Sequence, residues 1–193
     1  MKKLSSILMI ALSACAFQAC QNASKNSTSA ADSANAVKDT TTSGKTGIGV
    51  DKDDAKFAVD AANGGMTEIA LSQIAQSKAL NAKVKDFASM MVAQHTKAGD
   101  ELKAIAVQKN ITLPDSVSVD SKKAIDELAK KSATDFDKAY ISKMIDDHKG
   151  AEKLFEDATK NLKDPALKAF ALKTLPIIQK HLDAINQIHH DTE

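Results

Sequence analysis

Three histidines carry most of the reactive potential of this sequence, and two of them come with the same neighbour. Met91 stands four residues before His95, and Met144 stands four before His148. On a helix that spacing stacks thioether and imidazole on one face. Each histidine also interrupts an apolar stripe: Val84, Ala88, Met91, His95, Ala98, Leu102, Ile105 in one case, and Ile141, Met144, His148, Ala151, Phe155, Ala158, Leu162 in the other. Both stripes alternate spacings of three and four, the pattern of a helix face turned toward a core. A third stripe, Phe57, Ala61, Gly64, Glu68, Leu71, Ala75, carries a carboxylate in the equivalent place, and His181 shares a face with Ile177, Ile178, Ala184 and Ile188.

Imidazole suits Cu, Zn, Fe or Ni, and added thioethers favour Cu(I). A carboxylate with histidines can hold Zn or a redox metal while leaving a coordination position open. The candidate site is therefore a transition-metal site (Cu, Zn or Fe) drawn from Glu68, His95, His148, His181, Met91 and Met144. The competing reading makes the histidines buried polar groups, hydrogen-bonded to Glu68, Asp147 or backbone, that fix helix register. A di-iron oxidase centre needs Glu-x-x-His on two helices, but the residues three before His95, His148 and His181 are Val92, Ile145 and Ile178. No Ser-His-Asp constellation and no Gly-rich phosphate loop is present, so no catalytic or cofactor-binding residue is assigned. His189-His190 near the end of the chain is a weaker metal candidate, since such terminal pairs are ordinarily solvated. Asp147, adjacent to His148, points about 100° away from it on a helix.

These residues need four long helices to position them. The patterns predict helices over 53–79, 82–109, 134–162 and 165–189, with a shorter one inside 116–131. Asn81 fits the junction of the first two, Thr134-Asp135-Phe136-Asp137 fits a capping box, and Asp164-Pro165 fits an N-cap followed by proline at the first helical position. Gly64-Gly65 predicts a kink, a break or a close helix approach, and Pro176 a kink. Two connections are short and the third, 110–133, is long enough to run back along a bundle about 40 Å in length. The expected fold is all-α, a ferritin-like four-helix bundle with one extra short helix in the long connection between the second and third long helices. In such a bundle Glu68, His95, His148 and His181 fall at similar depth.

The 193 residues are nearly charge-balanced, at a formal +1, and every basic residue is lysine. Specific nucleic-acid readout leans on bidentate arginine, so no nucleic-acid partner is expected. Lys2 and Lys3 precede the apolar run Leu4 to Leu12, which is shorter than the roughly 20 residues a bilayer core requires. Leu12-Ser13-Ala14-Cys15 and Phe17-Gln18-Ala19-Cys20 both resemble a lipobox, and Cys20 leaves the longer apolar run and a polar mature start. Residues 1–20 thus read as a lipoprotein-type signal, with lipidation at Cys20 or Cys15; an ordinary secretory signal cleaved after alanine is the alternative. Residues 21–50, rich in Ser, Thr, Asn, Asp and Ala, read as a flexible tether, and 51–190 as the bundle domain.

Five spaced motifs recur in one order: Phe57-x-x-x-Ala61-x-x-Gly64-Gly65-Met66-x-Glu68, Phe87-Ala88-x-x-Met91-Val92-x-x-His95, Phe136-Asp137-x-x-Tyr140, Met144-x-x-x-His148 and Leu175-Pro176-x-x-x-x-His181-Leu182. Together, over about 53–188, they resemble the ferritin-like bacterial family catalogued as domain of unknown function 4142, often labelled outer-membrane or periplasmic proteins. Gln94 stands where that family leads one to expect an acidic residue. The resemblance implies the bundle fold and a lipid-anchored place in the cell envelope, outer membrane or periplasm, and leaves activity open. Met144 to Ala151 is also similar to a motif of another ferritin-like family with copper-binding members, which has paired histidines and further methionines where this chain has Asp147-His148. Two functions follow as expectations: an envelope lipoprotein that binds a transition metal, or a structural or partner-binding envelope-stress module with hydrogen-bonded histidines. No motif names a protein partner.

Overall fold

A computed structural model describes residues 26–39 and 49–192; the signal-type segment with Cys15 and Cys20 lies outside the described residues. Within them the chain forms six helices: α1 (Ser27–Asp39), α2 (Lys52–Lys78), α3 (Ala82–Gln108), α4 (Val119–Ala129), α5 (Ala133–Asn161) and α6 (Pro165–Thr192). The fold is all-α. No helix among the described residues is long and apolar enough to cross a membrane.

Side-chain caps fix where the long helices begin. Asp51 accepts from the Asp53 N–H, Asn81 from Lys83 and Ser118 from Ser121, and Asp164 accepts from Ala166 and Leu167. Each satisfies a backbone donor that the first turn leaves without a partner. The N-cap of α5 is Ser132, two residues ahead of the Thr134 expected from the sequence to start a capping box. Ser132 Oγ accepts from the Asp135 N–H and donates to the Asp135 carboxylate.

Contacts between remote ends establish the topology. Asp54, buried at the start of α2, accepts from the backbone N–H groups of Lys163 and Asp164 in the α5–α6 turn. At the opposite end Asp137, early in α5, accepts from the N–H groups of Leu80 and Asn81 in the α2–α3 turn. α2 and α5 are therefore antiparallel neighbours, and the order is up-down-down-up. That arrangement requires the connection after α3 to travel the length of the bundle. It does so along α2, where Asn63 accepts from the Ser118 N–H and Lys78 reaches the Ala129 carbonyl. The sequence alone permitted this ferritin-like crossover; the two clamped turns require it.

The core divides into two apolar clusters. One, around Leu71, Val84, Phe87, Phe136, Tyr140 and Ile185, fills the end near the α2–α3 turn. The other, around Phe57, Leu102, Phe155, Leu167 and Phe170, fills the end near the α5–α6 turn, with Phe57 edge-on to Phe155 at 5.1 Å. Burying each large side chain is worth about 1.5–3 kcal/mol. Tyr140 keeps its hydroxyl satisfied in the core through Ser72 at 2.8 Å.

Two expectations change. Ser27–Asp39, inside the stretch read as a flexible tether, is a helix that packs on α2 and on the loop after α3. Asn35 exchanges two hydrogen bonds with the Thr112 backbone, Ser27 bonds Asp115, and Ala31 is buried. Low hydrophobicity misleads here because long-range polar contacts, rather than an apolar face, hold the helix down. Gly64-Gly65 does not break α2, which runs through both residues.

Candidate metal centre

Between the two clusters lies a polar layer. Glu68 projects inward from α2, His95 from α3, His148 from α5 and His181 from α6, and the first, third and fourth of these are buried to 4 % exposure or less. The imidazole centroids stand 5.3 Å (His95–His181), 5.4 Å (His148–His181) and 6.0 Å (His95–His148) apart. One ring nitrogen from each histidine lies within 4.8 Å of the other two. A register shift of a single turn in any of the four helices would move its side chain by about 5 Å and dissolve the cluster.

Each ring has one nitrogen occupied and one without a protein partner. His148 Nδ1 donates to the Met144 carbonyl at 2.8 Å. A carbonyl can only accept, so the proton sits on Nδ1 and the lone pair on Nε2. His181 Nε2 donates to the Gln94 Oε1 at 2.9 Å, which leaves the lone pair on Nδ1. His95 Nδ1 faces Glu68 Oε2 at 3.2 Å, which leaves Nε2. The three remaining nitrogens, His95 Nε2, His148 Nε2 and His181 Nδ1, are all buried and without a hydrogen-bond partner, as is Glu68 Oε1. Leaving such a group unpaired costs about 1–3 kcal/mol. The cost recurs four times in one layer.

Electrostatics keeps the rings neutral. Burial, followed by the neighbouring His181 and His148, pushes His95 down to about 3. Burial and then His148 push His181 down to about 4. Burial also lowers His148, against the opposing pull of its bond to the Met144 carbonyl and of Asp147. Glu68 moves the other way, up to about 8, through burial and then the Asp147 carboxylate, with Lys143 opposing. The Glu68–His95 contact therefore joins two uncharged groups, a carboxylic acid and an imidazole whose Nδ1–H can donate to Glu68 Oε2 and leave the lone pair on Nε2. Neutral imidazole is the form that binds metal.

The donor set fits a metal ion. Zn–N bonds of about 2.0–2.1 Å in a tetrahedral arrangement put the nitrogens roughly 3.3 Å apart. The widest pair would have to close by up to about 1.5 Å, within reach of modest side-chain rotation. Three histidines with a further position free is a recognised zinc donor set, and imidazole serves Cu(II) equally. Glu68, expected among the ligands, stands instead on the Nδ1 side of the rings: 3.2 Å from His95 and 3.4 Å from His148. A carboxylate there orients a ligating imidazole and raises its basicity.

The other sequence candidates separate from this group. Met91 and Met144 are fully buried in the apolar cluster beside the layer. Met144 serves His148 through its backbone carbonyl. His189 and His190 lie eight and nine residues beyond His181 on α6, about 12 Å or more along the axis. Asp147 is half-buried, with Oδ1 taking Lys143 at 2.5 Å and Oδ2 buried without a partner. Gln94 had no signal in the sequence as a partner of His181, because its neighbour His95 occupies the inward face and Gln94 points toward α6.

Beside the layer a cleft of about 880 Å³ opens among α2, α3, α5 and α6. Glu68, His95, Lys143 and Asp147 line it together with Leu102, Phe155 and Phe170.

The family described as Domain of unknown function (DUF4142) matches residues 39–188 of the chain. A solved structure described as the crystal structure of a DUF305 fragment from Deinococcus radiodurans is similar with a TM-score of 0.65 at 10% identity, covering 72% of this chain and 96% of that one. At that identity the likeness concerns the fold. No curated protein matches the chain.

Proposed function

The chain belongs to the family described as Domain of unknown function (DUF4142), and from that premise and the histidine geometry we propose a lipid-anchored cell-envelope protein that holds one transition-metal ion. Its ligands are His95 Nε2, His148 Nε2 and His181 Nδ1, with Glu68, the Met144 carbonyl and Gln94 fixing the three tautomers. The observation that carries this reading is that one ring nitrogen from each of the three histidines lies within 4.8 Å of the other two while each ring keeps one buried nitrogen without a protein partner. A structural role would call for each ring to be satisfied on both sides, and none is. Zn(II) and Cu(II) rank first, since the converging donors are nitrogens. Placement in the envelope, in the outer membrane or periplasm, rests on Lys2-Lys3, the short apolar run and the lipobox-like sequences ending at Cys15 and Cys20.

The test is dialysis of the metal-stripped folded domain against Zn(II), Cu(II), Fe(II) or Ni(II), followed by elemental analysis. The wild type retains one equivalent and His148→Leu retains none. Retention of no ion above background by the wild type would overturn the metal reading and leave a bundle whose histidines set helix register.

A further inference from the structure

Two acidic side chains on neighbouring helices are short of hydrogen-bond donors. Glu68 on α2 and Asp147 on α5 both line the cleft beside the histidine layer. Asp147 gives Oδ1 to Lys143 and keeps a buried Oδ2 without a partner. Glu68 is 4 % exposed, and its Oε1 has no hydrogen-bond partner either. His148 Nδ1 stands 3.4 Å from that oxygen, but its proton is given to the Met144 carbonyl. The rest of the lining repeats the bias: Asp60, Asp100 and Asp115 join these two acids, against Lys103 and Lys143. Gly64, Gly99 and Gly150 border the same space from inside helices, and a methyl group at any of them would meet nothing within 4 Å. Their missing side chains leave open volume in a cleft that Leu102, Phe155 and Phe170 also line.

We propose that the cleft binds a hydrophobic primary amine in its ammonium form, with the ammonium on Asp147 Oδ2 and Glu68 Oε1 and the apolar body against Leu102, Phe155 and Phe170. A carboxylate accepts and cannot donate, so Asp147 Oδ2 calls for a donor, and a protonated Glu68 retains acceptor capacity for a second one. An ammonium brings three N–H donors, no acceptor and the opposite charge, and charge-assisted hydrogen bonds are roughly twice as strong as neutral ones. An anion would add acceptors where donors are missing. The surplus of acidic residues in the lining also raises the local concentration of cations. A cleft of about 880 Å³ is within the range of small-molecule sites, which are apolar with a few convergent polar groups. The inference goes beyond the metal reading and does not depend on it, since of the three proposed ligands only His95 lines the cleft.

The experiment titrates the full chain calorimetrically, with chelator present, with ethyl-, butyl- and hexylammonium. Hexanoate and 1-hexanol carry the same chain on an anionic and a neutral headgroup. Affinity is expected to rise about fourfold per methylene across the amines, from the transfer free energy of a CH₂ group. Hexylammonium is expected to bind at least roughly tenfold tighter than 1-hexanol, with hexanoate weaker than both. Asp147→Asn is expected to weaken hexylammonium about tenfold or more and to leave 1-hexanol unchanged, which also reports an intact fold. Gly99→Leu, which puts a side chain into the open volume, is expected to weaken both. No binding of hexylammonium at millimolar concentration, hexanoate or 1-hexanol binding as tightly as hexylammonium, or an amine affinity indifferent to Asp147→Asn overturns the proposal. The headgroup comparison is made on the wild type, so it decides the matter even where Asp147→Asn fails to fold. With metal excluded throughout, failure here leaves the metal reading standing, and failure to retain metal leaves this inference standing.

Discussion

Replacing Glu68 by glutamine isolates one proton in the metal-free protein. Buried between His95 and Asp147, Glu68 is raised from 4.5 to about 8 in the folded state. Between those values the folded state holds one proton more than the unfolded chain, so this group's contribution to stability falls as pH rises, by at most about 1.4 kcal/mol per pH unit. The histidines act in the opposite sense. His95, His148 and His181 are all lowered from 6.5, so below pH 6.5 the unfolded chain binds more protons and stability is lost as pH falls. Below 6.5 the protons of His95 and His181, reinforced by His148, outweigh the one carboxyl proton; toward pH 8 the carboxyl acts alone. This layer therefore gives the metal-free protein a stability maximum near pH 6.5. Glu68→Gln keeps the shape and removes the titrating group, so the alkaline limb between pH 6.5 and 8 should flatten while the acid limb stays. Urea denaturation at half-unit pH steps, with chelator present, measures both limbs. A wild-type profile that is flat from 6.5 to 8, or an alkaline decline that survives in Glu68→Gln, would refute the placement of this carboxylate.

Other outcomes follow from the same geometry. Zn(II) at a hundredfold excess over its Kd should stabilise the wild type by about 2.7 kcal/mol, a rise of roughly 5–10 °C in Tm by calorimetry. Glu68→Gln should weaken metal binding 10- to 100-fold in a competition titration, the usual loss when the partner of a ligating histidine is changed. His148→Leu should leave the metal-free Tm unchanged or higher, since it removes an unsatisfied buried nitrogen, and should abolish the Zn(II)-induced rise. Asp54→Ala, which strips the α5–α6 turn of its carboxylate acceptor, should cost about 1.5–3 kcal/mol in denaturant unfolding. Asn35→Ala, which breaks both bonds to Thr112, should speed amide exchange across α1 while sparing α2.

How much of this was legible in the sequence depends on the range of the interaction. The stripes through Phe57, Val84 and Ile141 are local periodicities, and they give four helices whose ends differ from the observed ones by three residues or fewer. Because His95, His148 and His181 interrupt such stripes near helix midpoints, their convergence could be read as well. Other features depended on contacts no local pattern encodes. Asp54 and Asp137 look like ordinary acidic residues of a first turn, yet each clamps a turn about a hundred or about sixty residues away. The docking of α1 depends on Asn35 meeting the Thr112 backbone, and composition alone read that segment as tether. Glu68 was placed correctly in depth, but whether its carboxylate faces a metal or the Nδ1 side of two rings is set by side-chain torsions. Gly64-Gly65 read as a kink, a break or a close helix approach. In the folded protein the pair borders a cleft inside an unbroken helix.

The most direct measurement is X-ray absorption at the metal edge on the Zn(II)- or Cu(II)-loaded domain. The account predicts one ion with three imidazole nitrogens at about 2.0–2.1 Å and a lighter, exchangeable donor completing the shell, and loss of that imidazole signature in His148→Leu. A shell dominated by carboxylate oxygen or by sulfur, or an imidazole signature that survives His148→Leu and disappears when His189 and His190 are replaced, would contradict it.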